Sequence, residues 1–183
     1  MRIIGGELRG KKLNSIKGDR TRPTADRVRE SLFNIIAFHI TRATVLDMFA
    51  GTGALGLEAL SRGASSAVFV DNSRDAVSVI RKNIHACRLD SRASVCKCDV
   101  LKNLNGIKAG HNFNLVLLDP PYNKNFIRPA LSVLGYSHLL EKSARIVIEH
   151  SILEKIPEDI RGFSLTDQRK YGKTAISFMS YMV

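Results

Sequence analysis

The sequence predicts an α/β fold with a mostly parallel sheet, and three observations carry that reading. Short runs rich in aliphatic and β-branched residues recur at 43–48, 66–70, 93–98, 113–118 and 144–149, and amphipathic segments at 54–62, 74–88 and 126–140 lie between most of them. Strands that alternate with helices pair in parallel and are covered on both faces. A glycine-rich turn, Gly51-x-Gly53-x-x-Gly56, directly follows the first of these strands, as in Rossmann-like sheets. The tail differs: 163–169 and 174–182 alternate polar and apolar residues around Tyr171-Gly172-Lys173, the pattern of an antiparallel hairpin closing one edge.

Ahead of the first strand the chain changes character twice. Residues 2–14 read as short extended pieces broken by Gly5-Gly6 and Gly10, a β-hairpin, and 17–23 as a polar, basic linker. From Thr24 onward Val28, Leu32, Ile35, Ile36, His39 and Ile40 recur at helical spacing, with Thr24 as N-cap and Asp26 in the first turn. The expected organisation is a basic arm over 1–22 and one larger domain over 23–183.

Bulk composition narrows the class of partner. With 44% hydrophobic and 25% charged residues in 183, the chain reads as an ordinary globular protein of one well-cored domain. Lys and Arg outnumber Asp and Glu by 28 to 17, a net charge of +11, which points to a polyanion. The excess is clustered. Residues 1–22 hold Arg2, Arg9, Lys11, Lys12, Lys17, Arg20 and Arg22 against Glu7 and Asp19. With Arg27 from the helix, Arg2, Arg9, Lys11, Lys12, Arg20 and Arg22 are the candidate phosphate contacts; the bland alternative is a solvated basic surface. No apolar run approaches the roughly 20 residues of a membrane span, and no secretory signal opens the chain. The three cysteines (Cys87, Cys96, Cys98) fit a reducing compartment, so a cytoplasmic location is expected. Cys96 and Cys98 share a strand face but lack further ligands nearby; a buried thiol pair is expected, and no metal.

Four acids end four successive strands: Asp47, Asp71, Asp99 and Asp119. The carboxyl edge of an open α/β sheet is where ligands bind. Glycine spacing alone leaves a dinucleotide cofactor open. Asp47 beside the loop would oppose a pyrophosphate but suits a ligand amino group, which favours S-adenosylmethionine. Asp71, about 20 residues beyond the loop, stands where a carboxylate holds ribose hydroxyls. Asp99 could accept from an adenine amine while the Val100 N–H donates to the ring. Each acid could instead merely cap the helix after it. The candidate cofactor set is Asp47, Phe49, Gly51, Thr52, Gly53, Asp71, Asn72, Asp99, Val100 and Asp119.

The most specific signal is Asp119-Pro120-Pro121-Tyr122 after the buried run Leu115-Val116-Leu117-Leu118. Proline fixes the backbone, so the Pro120 carbonyl is held in one direction; Asp119 adds a second acceptor, and Tyr122 a ring on which a heterocycle stacks. Two acceptors beside a ring suit the exocyclic NH2 of a nucleobase. Asp119, Pro120 and Tyr122 are the candidate catalytic residues.

With those motifs placed, the chain resembles class I S-adenosylmethionine-dependent methyltransferases that modify exocyclic amines. Arg2-Ile3-Ile4-Gly5-Gly6, Arg9-Gly10 and the block from Arg22-Pro23-Thr24 to Leu32-Phe33-Asn34 narrow the match. Together they look like the bacterial 16S rRNA (guanine-N2)-methyltransferase family of the small ribosomal subunit. The resemblance implies methylation of N2 on a helix-31 loop guanine, in the small subunit or its assembly intermediate, with S-adenosylhomocysteine as product. It also implies the strand order 3-2-1-4-5-7-6 with strand 7 antiparallel. A monomer is expected, since no exposed apolar stripe is evident in the sequence. Thr52 and Asp71 depart mildly, standing where serine and glutamate are common. An adenine-N6 methyltransferase acting on DNA or RNA, a non-catalytic RNA-binding module and a nicotinamide-dependent oxidoreductase are the rivals. Arg27, Glu30 and Asn34 share a helix face that either lines the site entrance or is a salt-bridged surface. The five histidines show no triad or ligand spacing and read as structural, and Glu149 carries no assigned role.

Overall fold

Seven strands share one sheet: β1 (Thr44–Met48), β2 (Ser66–Asp71), β3 (Ala93–Lys97), β4 (Phe113–Leu118), β5 (Leu140–Ser151), β6 (Phe163–Tyr171) and β7 (Thr174–Tyr181). The structure is a computed structural model that describes the chain apart from residues 17–22, 108, 109 and 111 and the side chains of 23–25. Lys17, Arg20, Arg22 and His111 therefore lie outside the described residues. The strand order is β3-β2-β1-β4-β5-β7-β6, as the resemblance implied. β1, β2, β3, β4 and β5 pair in parallel, and β7 runs antiparallel to both β5 and β6. A two-residue turn joins β6 to β7, with Gly172 at φ 61°, a left-handed conformation that suits the first central residue of a tight hairpin.

Successive strand residues face opposite sides, so each central strand feeds two cores. On one side Val45, Phe69, Leu115, Leu117, Val147 and Phe178 pack with residues of helices α1 (Pro23–Ile35), α2 (Ala54–Ser61) and α3 (Arg74–Ala86). On the other, Leu46, Met48, Val68, Val116, Leu118 and Ile148 pack under α4 (Ile127–Tyr136) and the segment holding Val100, Leu104 and Ile107.

Several boundaries differ from expectation for local reasons. α1 starts at Pro23, a residue whose missing N–H suits the first turn, so Thr24 lies within the helix and is not its cap. The helix ends at Ile35 and tightens into a 3-10 turn over Ala37–His39, which turns Ile35 and His39 outward while Ile36 and Ile40 stay buried. α4 stops at Tyr136 instead of running to 140, and His138 at φ 54° turns the chain into β5. β5 begins at Leu140, not 144; the register slips between Phe113↔Leu140 and Leu115↔Arg145, with Ser143 at φ 64° in the irregular stretch.

The hairpin expected over 2–14 is reduced to one antiparallel bridge, Arg2↔Lys12, flanked by Ile3 N–H to Lys11 O at 3.0 Å and Gly10 N–H to Ile3 O at 2.8 Å. Its position comes from the core. Ile3 and Leu13 are buried, and the wholly buried Glu58 carboxylate accepts from Ile4 N and Gly5 N at 2.7 Å each. Arg62 Nε donates to the same carboxylate at 2.7 Å. At the far end Asn83 Nδ2 donates to Asn14 O at 3.1 Å and to Thr52 O at 2.9 Å, so one buried amide ties the arm to the glycine turn.

Candidate active site

Register alone aligns three side chains at the carboxyl edge. Met48 pairs with Leu118, and Leu118 with Ile148. The next residues, Phe49, Asp119 and Glu149, therefore follow the ends of β1 and β4 and the matching point of β5 in one row, with strands about 4.8 Å apart. By alternation Asp119 and Glu149 face the side covered by α1 and α2, whereas Phe49, at φ 59°, packs against the other core.

The turn after β1 is wound tightly. Phe49 (φ 59°), Gly51 (φ 56°) and Gly53 (φ 79°) are left-handed, and only the two glycines adopt that conformation without strain. Asp71 Oδ2 accepts from Gly51 N at 2.9 Å, and its Oδ1 from Ser73 N at 2.9 Å, so this acid braces the loop and starts α3. A Cβ on Gly56 would stand 2.4 Å from the Phe69 ring and 3.0 Å from Asp47 Oδ2, which makes that position intolerant of any side chain. Asp47 is buried, and its Oδ2 accepts from Gly56 N at 2.9 Å. Burial pushes its carboxyl up to about 8, against the pull of that hydrogen bond and with a push from the nearby Asp71 charge.

A cavity of about 160 Å³ opens above this turn. Met1, Arg29, Asp47, Phe49, Thr52, Asp119 and Glu149 are among its walls. Size does not mark it, since a groove of about 780 Å³ beside α4 is larger; the meeting of one guanidinium with three carboxyls does. The Arg29 side chain is 7% exposed, and its Nη2 donates to Arg2 O at 2.7 Å and to Asp26 Oδ1 at 3.0 Å. Its Nε is buried with no acceptor among the described residues. Burial lowers the Arg29 pKa, while Glu58, Asp26 and Glu149 oppose that shift.

Tyr122 meets the cavity through Glu149. Its hydroxyl donates to Glu149 Oε1 at 3.0 Å and lies 3.2 Å from Thr174 Oγ1 on β7. Burial raises the pKa of both Tyr122 and Glu149; the Glu149 charge pushes the phenol up further, whereas the Tyr122 hydrogen bond and the Arg29 charge pull the carboxyl back down.

The model of the family described as conserved hypothetical protein 95 matches residues 1–180. The chain belongs to this family. It is 35% identical to Ribosomal RNA small subunit methyltransferase D of Escherichia coli (strain K12), across 96% of this chain and 87% of that protein. YlbH of Bacillus subtilis (strain 168), named as a candidate rRNA methyltransferase, is 35% identical across 97% of both chains. Among solved structures, the candidate methyltransferase yhhF of Escherichia coli superposes with a TM-score of 0.86 at 32% identity, covering 100% of this chain and 98% of that one.

In this family member the residues expected from sequence divide into two groups. Asp47, Phe49, Gly51, Thr52 and Asp119 meet in the cavity. Asp71, Asn72, Asp99, Val100, Gly53, Pro120 and Tyr122 lie outside its walls. Gly53 caps α2 against Phe69, and Pro120 is buried. Asp99 Oδ1 accepts from Leu101 N at 3.1 Å and Val100 is buried, so Asp99 at least caps its own turn. Arg27, Glu30 and Asn34 do share an exposed face, but none lines the cavity; Asn34 Oδ1 accepts from Arg62 at 3.4 Å, and α1 sends Arg29 inward instead. Cys96 and Cys98 lie with Sγ atoms 3.5 Å apart but half-exposed, not buried. Both ring nitrogens of buried His150 are engaged, by Ser151 O and Ser177 Oγ at 2.8 Å each. Arg29 and Glu149 are the charged cavity residues that sequence reasoning missed, and the signal was thin: a charge at an apolar-phase position of a helix and another ending a buried strand.

The donor set fits the amino-acid end of S-adenosylmethionine. A buried Arg29 Nε with no acceptor among the described residues suits an α-carboxylate, and the Asp47 carboxyl suits an α-ammonium. Phe49, another wall of the cavity, stacks on Phe126 at 6.1 Å between centroids.

Proposed function

We propose that this chain transfers a methyl group from S-adenosylmethionine to the exocyclic N2 of a loop guanine in 16S rRNA, within the small ribosomal subunit or an assembly intermediate, as a cytoplasmic monomer. One observation carries the reading: the first residue of Asp119-Pro120-Pro121-Tyr122 lines the same cavity as the glycine turn, so an amine clasp and a cofactor loop share one space. The names of the relatives, which specify rRNA and the small subunit, support the substrate class.

S-adenosylmethionine when bound supplies an electrophilic methyl group; the chain's work is to present an amine to it. A guanine amine is a poor nucleophile because its lone pair is delocalised into the ring. Hydrogen bonds from NH2 to the Asp119 carboxylate and the Pro120 carbonyl draw the nitrogen towards tetrahedral geometry and localise that pair. Tyr122 stacks on the extruded base and fixes its plane, and extrusion from a loop costs less than opening a duplex. Holding both reactants in line is the largest contribution, roughly 7–11 kcal/mol. The proton leaves after transfer, to Asp119 or water. Exposed Arg2, Arg9, Lys11, Lys12 and Arg27 surround the arm and α1 and would hold rRNA phosphates, together with Arg20 and Arg22.

The deciding experiment supplies labelled S-adenosylmethionine with small subunits, 16S rRNA and DNA in separate reactions, followed by mass spectrometry of the nucleosides. N2-methylguanine at one nucleotide is expected. N6-methyladenine, or no transfer to any of the three, would overturn the proposal.

A further inference from the structure

Asp119 alone does not distinguish guanine from adenine, because both bases offer an NH2 group. The neighbouring ring atom does distinguish them. In guanine the carbon that bears the amine also bonds N1, which carries a hydrogen. In adenine the ring nitrogen beside the amine carries a lone pair. A site that clasps the amine therefore reads the base through whatever faces that ring nitrogen.

In this cavity the second acidic wall after Asp119 is Glu149. Asp119 follows Leu118 and Glu149 follows its register partner Ile148, so two carboxylates stand on adjacent parallel strands. Both line the cavity. Tyr122 donates to Glu149 Oε1 at 3.0 Å. Burial raises the Glu149 pKa, while that hydrogen bond and the Arg29 charge pull it back towards the charged form. No hydrogen bond from a described residue reaches Oε2. Its backbone pairs with Ile176 of β7, which fixes where the side chain starts.

We propose that Glu149 selects guanine: its carboxylate accepts from the ring N1–H while Asp119 accepts from the adjacent 2-amino group. This rests on the methyl-transfer reading above. A base with a lone pair at that ring position meets carboxylate oxygen with no hydrogen between, a repulsive contact that guanine does not make. Tyr122 acts on the same contact twice, by stacking on the base and by aiming the Glu149 carboxylate.

The test uses 2-aminopurine, which keeps the 2-amino group and lacks the N1 hydrogen. Small subunits are reconstituted from 16S rRNA spliced to carry either guanine or 2-aminopurine at the nucleotide mapped as methylated, and kcat/KM is measured on each. For the wild type the preference for guanine is expected to be at least about 10²-fold, since a site built to pair with a hydrogen rejects the analogue lacking it. Glu149→Gln, whose amide can donate to the bare ring nitrogen, should lower activity on guanine and shrink the preference to below about tenfold. Glu149→Asp keeps the acceptor and should retain the preference at reduced rate, and melting temperatures of both variants confirm folding. Equal wild-type rates on the two bases, or a Glu149→Gln loss that is the same on both, would overturn this role and leave the methyl-transfer reading standing. Absence of transfer to guanine by the wild type would overturn both.

Discussion

The Tyr122 hydroxyl donates to Glu149 Oε1 across 3.0 Å, which links the loop after β4 to the end of β5. The hydroxyl thus has a task separate from the ring face. Tyr122→Phe keeps the stacking surface and loses one charge-assisted hydrogen bond, worth roughly 1.5–3 kcal/mol. About 10-fold slower methyl transfer is expected, whereas Tyr122→Ala should lose far more; single-turnover rates of the two variants make the comparison. Equal losses would show that the ring contributes nothing beyond its hydroxyl.

Asp119→Ala removes one half of the proposed amine clasp. Turnover should fall by about 10²–10⁴-fold, the range for a positioned acid–base group, with S-adenosylmethionine affinity retained in calorimetric titration. Near-normal turnover would remove Asp119 from the chemistry.

Asp47 carries a pH signature. Burial holds its carboxyl at about 8 in the folded chain. Unfolded, it ionises near about 4, so between those values the unfolded state binds fewer protons and stability falls as pH rises. Asp47→Asn removes that slope. The variant should match the wild type near pH 4 and melt at a higher temperature by pH 8 in the absence of cofactor, with weaker S-adenosylmethionine binding. A gap that does not widen with pH would contradict the assignment.

Glu58 gathers three donors at a wholly buried carboxylate. Glu58→Ala leaves Ile4 N, Gly5 N and the Arg62 guanidinium without it and should cost about 3–5 kcal/mol in urea denaturation. Glu58→Gln, which keeps one oxygen, should cost clearly less.

Because Ile3 and Leu13 are core residues and Met1 lines the cavity, removing the arm would damage the fold itself. RNA contact is better tested by Arg9→Ser, Lys11→Ser and Lys12→Ser, all at exposed positions. The combined variant should bind S-adenosylmethionine normally and rRNA more weakly. The salt dependence of rRNA binding should drop by about 0.7–0.9 for each phosphate that is no longer neutralised. An unchanged salt slope would assign these residues to plain surface.

Much of the scaffold was legible because buried parallel strands announce themselves as continuous apolar runs, as at Leu115–Leu118, and because glycine and proline mark turns. Boundaries were less so where tertiary packing overrode local pattern. Glu141 and Lys142 look like loop yet extend β5, since the start of β5 pairs with β4 only at Phe113↔Leu140 and leaves them solvent-exposed. Leu139 seemed to continue α4, but His138 breaks the helix. In the site, acids at strand ends were visible as a series. Arg29, Glu58 and Glu149 were not, because a charged residue in a one-dimensional pattern reads as surface until the fold brings its partner alongside.

The place of β7 between β5 and β6 bears on biosynthesis. The chain leaves the ribosome from its N-terminus, so β5 emerges with one backbone edge unsatisfied and stays so until the much later segment 174–181 can slot beside it. Through that interval Tyr122 lacks the Thr174 hydroxyl and an adhesive sheet margin lies open to neighbouring nascent chains. Completion of the Tyr122–Glu149–Thr174 cluster is thus a late event, and agents that shield such margins should matter most in the last moments of translation.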